Sequence, residues 1–375
     1  MPFEEKNLVH YYPGRHCLYG SLYNLFKSWG SGLCEHDYFI MCDGLSFRFH
    51  KNESENFISN ILDFIHVDYR EQIKRCKKHL SLSLRMDEDR LIDWCYCIEV
   101  LKTKHPVLAF VDSSILNYHI LENPLSNLGA HTIILNGVDP DHNDITFVDS
   151  YVLDASGDVR VATGTIHMER LQAYALGLCY FSNYDKDREP GPKTIVTLFK
   201  HSLVNYLSER PGHEGGHVAL EQILRGLIQL MHMYKQDYYE NMIALVFLMK
   251  AYFTSALSYV KGAAVHYLGL APDAQNQIVH DIGILEQEWK AFFLRCLSIQ
   301  PEKLLNEADK AMSSGLHAAA LQKKFFKNIF KSSKKQEIDE FQQEVSNENT
   351  IDISTVENEF LDNIRVDPSN VNKVA

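Results

Sequence analysis

The chain has 375 residues, which at about 150 residues per domain allows two or three domains. It is 45% apolar and 11% aromatic, enough to fill one or two cores. Its 37 basic and 49 acidic side chains, a net charge of −12, argue against nucleic acid as the main partner, because neutralising phosphates takes an excess of Lys and Arg.

The acidity is local. Residues 336–375 hold ten acids and two bases, so the remainder is nearly neutral. The eight cysteines make no C-x-x-C pair, and the chain is too long and too cysteine-poor for a disulfide scaffold. A reduced, cytoplasmic setting is the simpler expectation. The opening MPFEEKNLVH has neither the basic cluster nor the apolar run of a secretion signal.

In chain order, residues 1–16 read as irregular, with Pro13-Gly14 near their end. From Cys17 the pattern turns helical: Leu18, Leu22, Leu25, Phe26 and Trp29 recur at three and four, and Gly30 and Gly32 stop it. Residues 53–105 carry helical spacing, notably over Leu91–Leu101. The period then shortens. VLAFVD (107–112), HTIILNGV (131–138), DITFVDS (144–150) and KTIVTLF (193–199) are short, β-branched and bounded by turn residues, so they predict strands. DPDHN (139–143) reads as a hairpin loop.

Beyond residue 200 the spacing predicts helices over 200–210, 217–236, 239–262 and 277–298, and a weaker one over 301–335. Ile243–Val260 is the most apolar stretch. Its length suits a membrane, but Lys250 and several hydroxyls fit a buried core helix. Residues 336–375 are rich in Asn, Ser and acids without a sustained period, so disorder is expected. The predicted organisation is a catalytic domain over 1–192, a helical domain over 193–300, a basic helical extension over 301–335 and a disordered acidic tail over 336–375. Glu189-Pro190-Gly191-Pro192 marks the first boundary. No internal repeat is found.

Cys17 opens the first helix, directly after a Pro-Gly turn. The positive end of a helix dipole lowers a thiol's pKa and favours thiolate. A thiolate nucleophile needs a base, and the base needs an orienting group. The predicted strands offer both. Setting Val138 opposite Asp144 places Ile133 opposite Asp149, and His131 lies two residues before Ile133. Asp149 is then the diagonal cross-strand neighbour of His131. A bulge in either strand would displace that register.

GRHCLYGSLYNLF (14–26), Glu35, DGLSF (43–47), PVLAFVD (106–112), Asn117-Tyr118, AHTIILNGVD (130–139) and ITFVDS (145–150) together resemble the butirosin-biosynthesis acyltransferase family. The resemblance covers about residues 1–200. It implies an α+β, papain-like fold, with a helix bearing Cys17 packed on an antiparallel sheet bearing His131 and Asp149, then an all-α second domain. It also implies natural-product chemistry: an acyl group leaves the phosphopantetheine thioester of an acyl carrier protein and passes to a small-molecule amine, forming an amide. By motif match Cys17 is the nucleophile, His131 the base and Asp149 the orienter, with Glu35, Asn117 and Tyr118 near the substrate. No ATP, metal or organic cofactor is called for. The same trio with water as acceptor would make a cysteine peptidase or thioesterase, and a third reading keeps the fold without the activity.

One departure stands out. Papain-like peptidases place a Gln about six residues before the cysteine to line the oxyanion hole, whereas here Tyr11 and Tyr12 occupy that region. The Cys17 N–H, with a tyrosine hydroxyl or another N–H as its partner, is the donor set this predicts.

Two further signals point elsewhere. His213-Glu-Gly-Gly-His217 matches the H-E-x-x-H letters of zinc proteases. The two glycines and the preceding Pro211-Gly212 make it read as a loop entering a helix. KKFFKNIFKSSKK (323–335) carries six lysines among aromatics. It suits an anionic surface or an acidic carrier protein, but a solvated terminal helix is the simpler reading.

Overall fold

In the computed structural model, the described residues are 11–46, 69–88, 91–116, 130–139, 141–153, 159–208, 216–233, 255–299 and 303–347. Asn117, Tyr118 and His213 lie outside them, as do most of the predicted 239–262 helix and residues 348–375.

Six strands form one antiparallel sheet: β1 (Ser83–Glu88), β2 (Val107–Asp112), β3 (Ala130–Asp139), β4 (Asp144–Leu153), β5 (Val159–His167) and β6 (Ala175–Ser182). Their spatial order is β1-β6-β2-β3-β4-β5, and every neighbouring pair is antiparallel. Alternation along the strands divides two cores. Leu108, Phe110, Ile134, Val148, Cys179 and Phe181 point to one face, and Val107, Ala109, Ile133, Leu135, Phe147 and Leu178 to the other.

The first face is covered by α1 (Cys17–Ser28), α2 (Glu35–Met41) and α3 (Tyr69–His79). The second is covered by α4 (Trp94–Lys102) and α5 (Met168–Tyr174), through Cys97, Leu101, Met168 and Leu171. Helix α1 ends where Gly30 adopts φ +87°, the left-handed cap that glycine takes without strain.

The remaining helices are α6 (Pro192–Leu207), α7 (Gly216–Met233), α8 (Ser255–Tyr267), α9 (Pro272–Ser298) and α10 (Leu304–Asn347). Their apolar side chains join the first-face core; Ile195, Leu220, Tyr259, Trp289 and Phe326 pack in the cluster that holds Leu18 and Leu22. By contacts, Met1–Phe330 is one compact unit and Lys331–Ala375 another. No helix of the described residues is long and apolar enough to cross a membrane.

Several sequence expectations need correction. KTIVTLF (193–199) is the start of α6, not a strand. Pro192 sits at a first helical position, and Ile195, Phe199, Leu203 and Tyr206 are buried at four, four and three, so the period appears only over a longer window. β1, within the segment read as helical, is a polar edge strand with few β-branched residues, and it is held only by β6. β5 and β6 carried no prediction. Helix α10 runs on to Asn347, so residues 336–347 are helical where disorder was expected. In α10, Phe325, Phe326 and Ile329 are buried while Lys324 and Lys327 face solvent. The aromatic side of the basic segment is therefore core rather than membrane-facing surface.

Candidate active site

The β3–β4 hairpin departs from the assumed register twice, and the departures cancel. Asp139, not Val138, lies opposite Asp144, and a bulge between Leu135 and Gly137 then absorbs the extra residue. Beyond it Leu135 faces Phe147 and Ile134 faces Val148, the register that the sequence predicts, and the ladder leads on toward Ile133 and Asp149. The result is a direct bond: His131 Nε2 donates to Asp149 Oδ2 at 2.8 Å. Asp149 is fully buried, and its Oδ1 accepts the Tyr151 N–H at 2.9 Å, a local bond to the residue two further on.

Nε2 is committed to Asp149, which leaves Nδ1 for the thiol. His131 and the Thr132 N–H both lie close enough to the sulfur to stabilise its thiolate. The ring is used the opposite way round from the serine-protease triad, where Nε2 faces the nucleophile. Both partners are nearly buried, Cys17 at 7% exposure and His131 at 8%. Burial alone pushes the thiol up, but the His131 hydrogen bond and charge, with the Thr132 N–H, bring Cys17 below its ordinary value. Burial likewise opposes the imidazolium. Asp149 and the thiolate outweigh it and raise His131 to about 10. The arrangement favours a thiolate–imidazolium pair.

Helix α1 is aimed by the loop before it. Gly14 donates to Ser150 O at 2.7 Å, and a Cβ on Gly14 would meet the Gly20 Cα at 2.6 Å, so the loop folds tightly against the first helical turn. Ser21 Oγ donates to Thr132 O at 3.3 Å and shares a hydrogen bond with Ser150 Oγ, which fastens α1 to β3 and β4. His16 is the helix N-cap, its Nδ1 accepting the Leu18 N–H at 3.2 Å. Burial, helped by the His131 charge, pushes its imidazole down to about 3. The Arg15 and His16 N–H groups both donate to Glu35. That leaves the Cys17 N–H without a partner among the described residues, at the positive end of α1.

Glu35 is thus beside the site, with its carboxylate engaged by neighbouring donors. Its carboxylate serves Arg15, His16 and the Tyr259 hydroxyl, and its pKa is raised by burial against those donors. The two tyrosines make contacts away from the thiol. Tyr12 exchanges backbone bonds with the Asn24 side chain, two turns along α1. The Tyr11 hydroxyl accepts from Asn136, five residues along β3 from His131, roughly 16 Å at strand spacing. At that distance the Tyr11 hydroxyl does not serve the thiol.

Residue Tyr151 was missed by the sequence reading. It is buried near Cys17 and Glu35, and burial first, then the thiolate, raises its phenol pKa. Its signal was available, because an Asp commonly accepts the N–H two residues on. His16 gave none, since His is not a favoured cap.

Among the described residues, Cys34, His36 and Asp37 bring one metal-capable atom each within 4.8 Å. Their grouping has a structural cause. Cys34 and Asp37 form the capping box of α2, and Asp37 already accepts from the Cys34 N–H and the Tyr267 hydroxyl. Of the H-E-x-x-H letters, His213 and Glu214 lie outside the described residues; Gly216, at φ +62°, starts α7. His217 donates from Nδ1 to Tyr206 O at 2.6 Å.

No family model matches this chain, and no curated protein matches it significantly.

Proposed function

We propose that the chain is a cysteine-dependent acyltransferase that forms amides from carrier-protein thioesters, with a papain-like catalytic fold. The observation that carries the reading is the Cys17–His131–Asp149 line at the start of α1. The motif resemblance to the butirosin-biosynthesis acyltransferases adds the substrate class: the thioester of an acyl carrier protein as donor and a small-molecule amine as acceptor.

The chemistry follows from the resting ion pair. Cys17 thiolate attacks the thioester carbonyl, and the oxyanion forms beside the Cys17 N–H. Collapse breaks the donor's C–S bond, and the leaving thiolate takes the proton from His131. The acyl group is now a thioester of Cys17, and His131 is neutral. An amine attacks that carbonyl while His131 removes its proton. The second collapse releases the amide and restores thiolate and imidazolium. Each step exchanges one bond at carbon and one proton, so no cofactor enters the balance. Asp149 holds the ring and stabilises the imidazolium throughout.

The test is intact-protein mass spectrometry after incubation with acyl-pantetheine thioesters, with and without amines. An acyl adduct on Cys17 that amines discharge to amide supports the proposal. An adduct discharged by water alone favours a thioesterase or peptidase. No adduct from any thioester refutes covalent acyl transfer.

A further inference from the structure

Helix α8 reaches the nucleophile's loop along one face. Ser255 Oγ donates to Arg15 O at 2.8 Å, the Arg15 guanidinium donates to Ser258, and the Tyr259 hydroxyl donates to Glu35 Oε1 at 2.6 Å. Further along, a Cβ on Gly262 would come within 3.0 Å of the His36 ring, and the Tyr267 hydroxyl donates to Asp37 Oδ1 at 2.6 Å. Positions 255, 259, 262 and 266–267 repeat at three and four, the spacing of a single helix face. Helix α8 thus lies against α2 and fastens residue 15 directly, and residue 16 only through Glu35.

Glu35 is the centre of this clamp. Its carboxylate gathers two consecutive backbone N–H groups, Arg15 and His16, and the next N–H in the chain belongs to Cys17. Holding two successive peptides restricts the approach to the third, whose direction then depends only on the two His16 dihedrals, set at φ −152° and ψ 143° by its place as the N-cap of α1. Tyr259 is itself buried, stacks on Phe39 at 4.7 Å and meets Tyr19 edge-on, so its hydroxyl has little freedom.

We propose that Glu35, held by Tyr259 of α8, is a positioning residue that aims the Cys17 N–H at the carbonyl oxygen of the acyl group. This rests on the acyl-transfer reading and adds to it a support from the helical half of the chain. The effect is specific to reactions that create an oxyanion. Alkylation by iodoacetamide displaces iodide at a saturated carbon and needs only the thiolate, whereas acylation by a thioester needs the thiolate and the aimed N–H.

The experiment compares both rates on the full chain, using S-acetyl-pantetheine and iodoacetamide. Glu35→Gln keeps the shape but only one acceptor oxygen, and Tyr259→Phe removes a single hydroxyl from a packed ring. Acylation should slow about 10–100-fold in Glu35→Gln and about 3–10-fold in Tyr259→Phe, less than the loss of a whole oxyanion donor. Alkylation should stay within about 2-fold. Should Glu35→Gln not fold, Tyr259→Phe decides alone. Parallel falls in both rates, or no fall in either, overturn the positioning role while leaving acyl transfer standing. A wild-type chain that alkylates but never acylates overturns the acyl-transfer reading, and the positioning role with it.

Discussion

On the sheet side of Cys17, His131 donates to a buried carboxylate and its pKa rises to about 10. On the loop side, His16 caps α1 and its pKa falls to about 3. Both residues are buried, His131 at 8% exposure and His16 at 4%, so burial acts on both in the same direction. What differs is the partner: Asp149 for one, a backbone N–H for the other. Desolvation makes a buried imidazole neutral unless a charge close by reverses it. One histidine is therefore held charged, and its neighbour stays neutral at the helix start.

The harshest way to break this contrast is to remove what both rings flank. Cys17→Ala should take acyl transfer to background and abolish the mass adduct, with circular dichroism unchanged. Retained turnover would mean that no covalent intermediate exists. His131→Ala comes next, at about 10²–10⁴-fold in turnover, the usual worth of a general base. It should also move the pH midpoint of iodoacetamide alkylation up toward that of a free thiol, near 8.5. An unmoved midpoint would show that His131 does not hold the thiolate.

Asp149→Asn sharpens the comparison, because it makes the environment of His131 like that of His16. The amide still hydrogen-bonds, but it cannot stabilise imidazolium and can select the other tautomer. In serine enzymes such a change costs about 10⁴-fold; a thiol needs less help, so about 10–10³-fold is expected here. Turnover equal to wild type would show that Asp149 is only structural.

Legibility in the sequence followed the range of the forces involved. The hairpin carrying His131 and Asp149 was readable because alternation and turn residues are local signals. Its register came out right at the chemical end through the bulge at Asn136, which no alternation pattern reveals. The oxyanion side was not readable. Tyr11 and Tyr12 were placed by counting back from Cys17, but their direction is set by Asn24 and Asn136, both distant in sequence from that turn. Glu35 was singled out without its partner, because Tyr259 is 224 residues away. Strands β1 and β5 escaped because edge strands expose their side chains and lose the apolar alternation that marks a strand.

The smallest effect concerns stability and separates the two histidines by sign. The folded pKa of His16 lies below the ordinary 6.5, so its contribution is fully present above about pH 6.5 and lost as the pH falls toward 3. The folded pKa of His131 lies above 6.5, so its contribution is fully present below about pH 6.5 and lost as the pH rises toward 10. His16→Asn keeps a side-chain oxygen for the Leu18 N–H, and Asn is among the best caps, so stability at pH 7 should change by no more than about 0.5 kcal/mol. What the variant lacks is the titration. Between pH 6.5 and 4 the wild type should lose more stability than His16→Asn, by up to about 1.4 kcal/mol per pH unit. Below about pH 8.5 the proton that Cys17 releases on folding offsets the one His131 takes up, so Asp149→Asn should instead flatten the limb between about pH 8.5 and 10. Denaturant midpoints across pH 4–10 for the three proteins read both limbs at once. Carboxylates elsewhere titrate equally in all three, so they cancel in the differences. An acid limb unchanged by His16→Asn would mean that His16 is protonated in the folded protein, and the contrast between the two rings would fail.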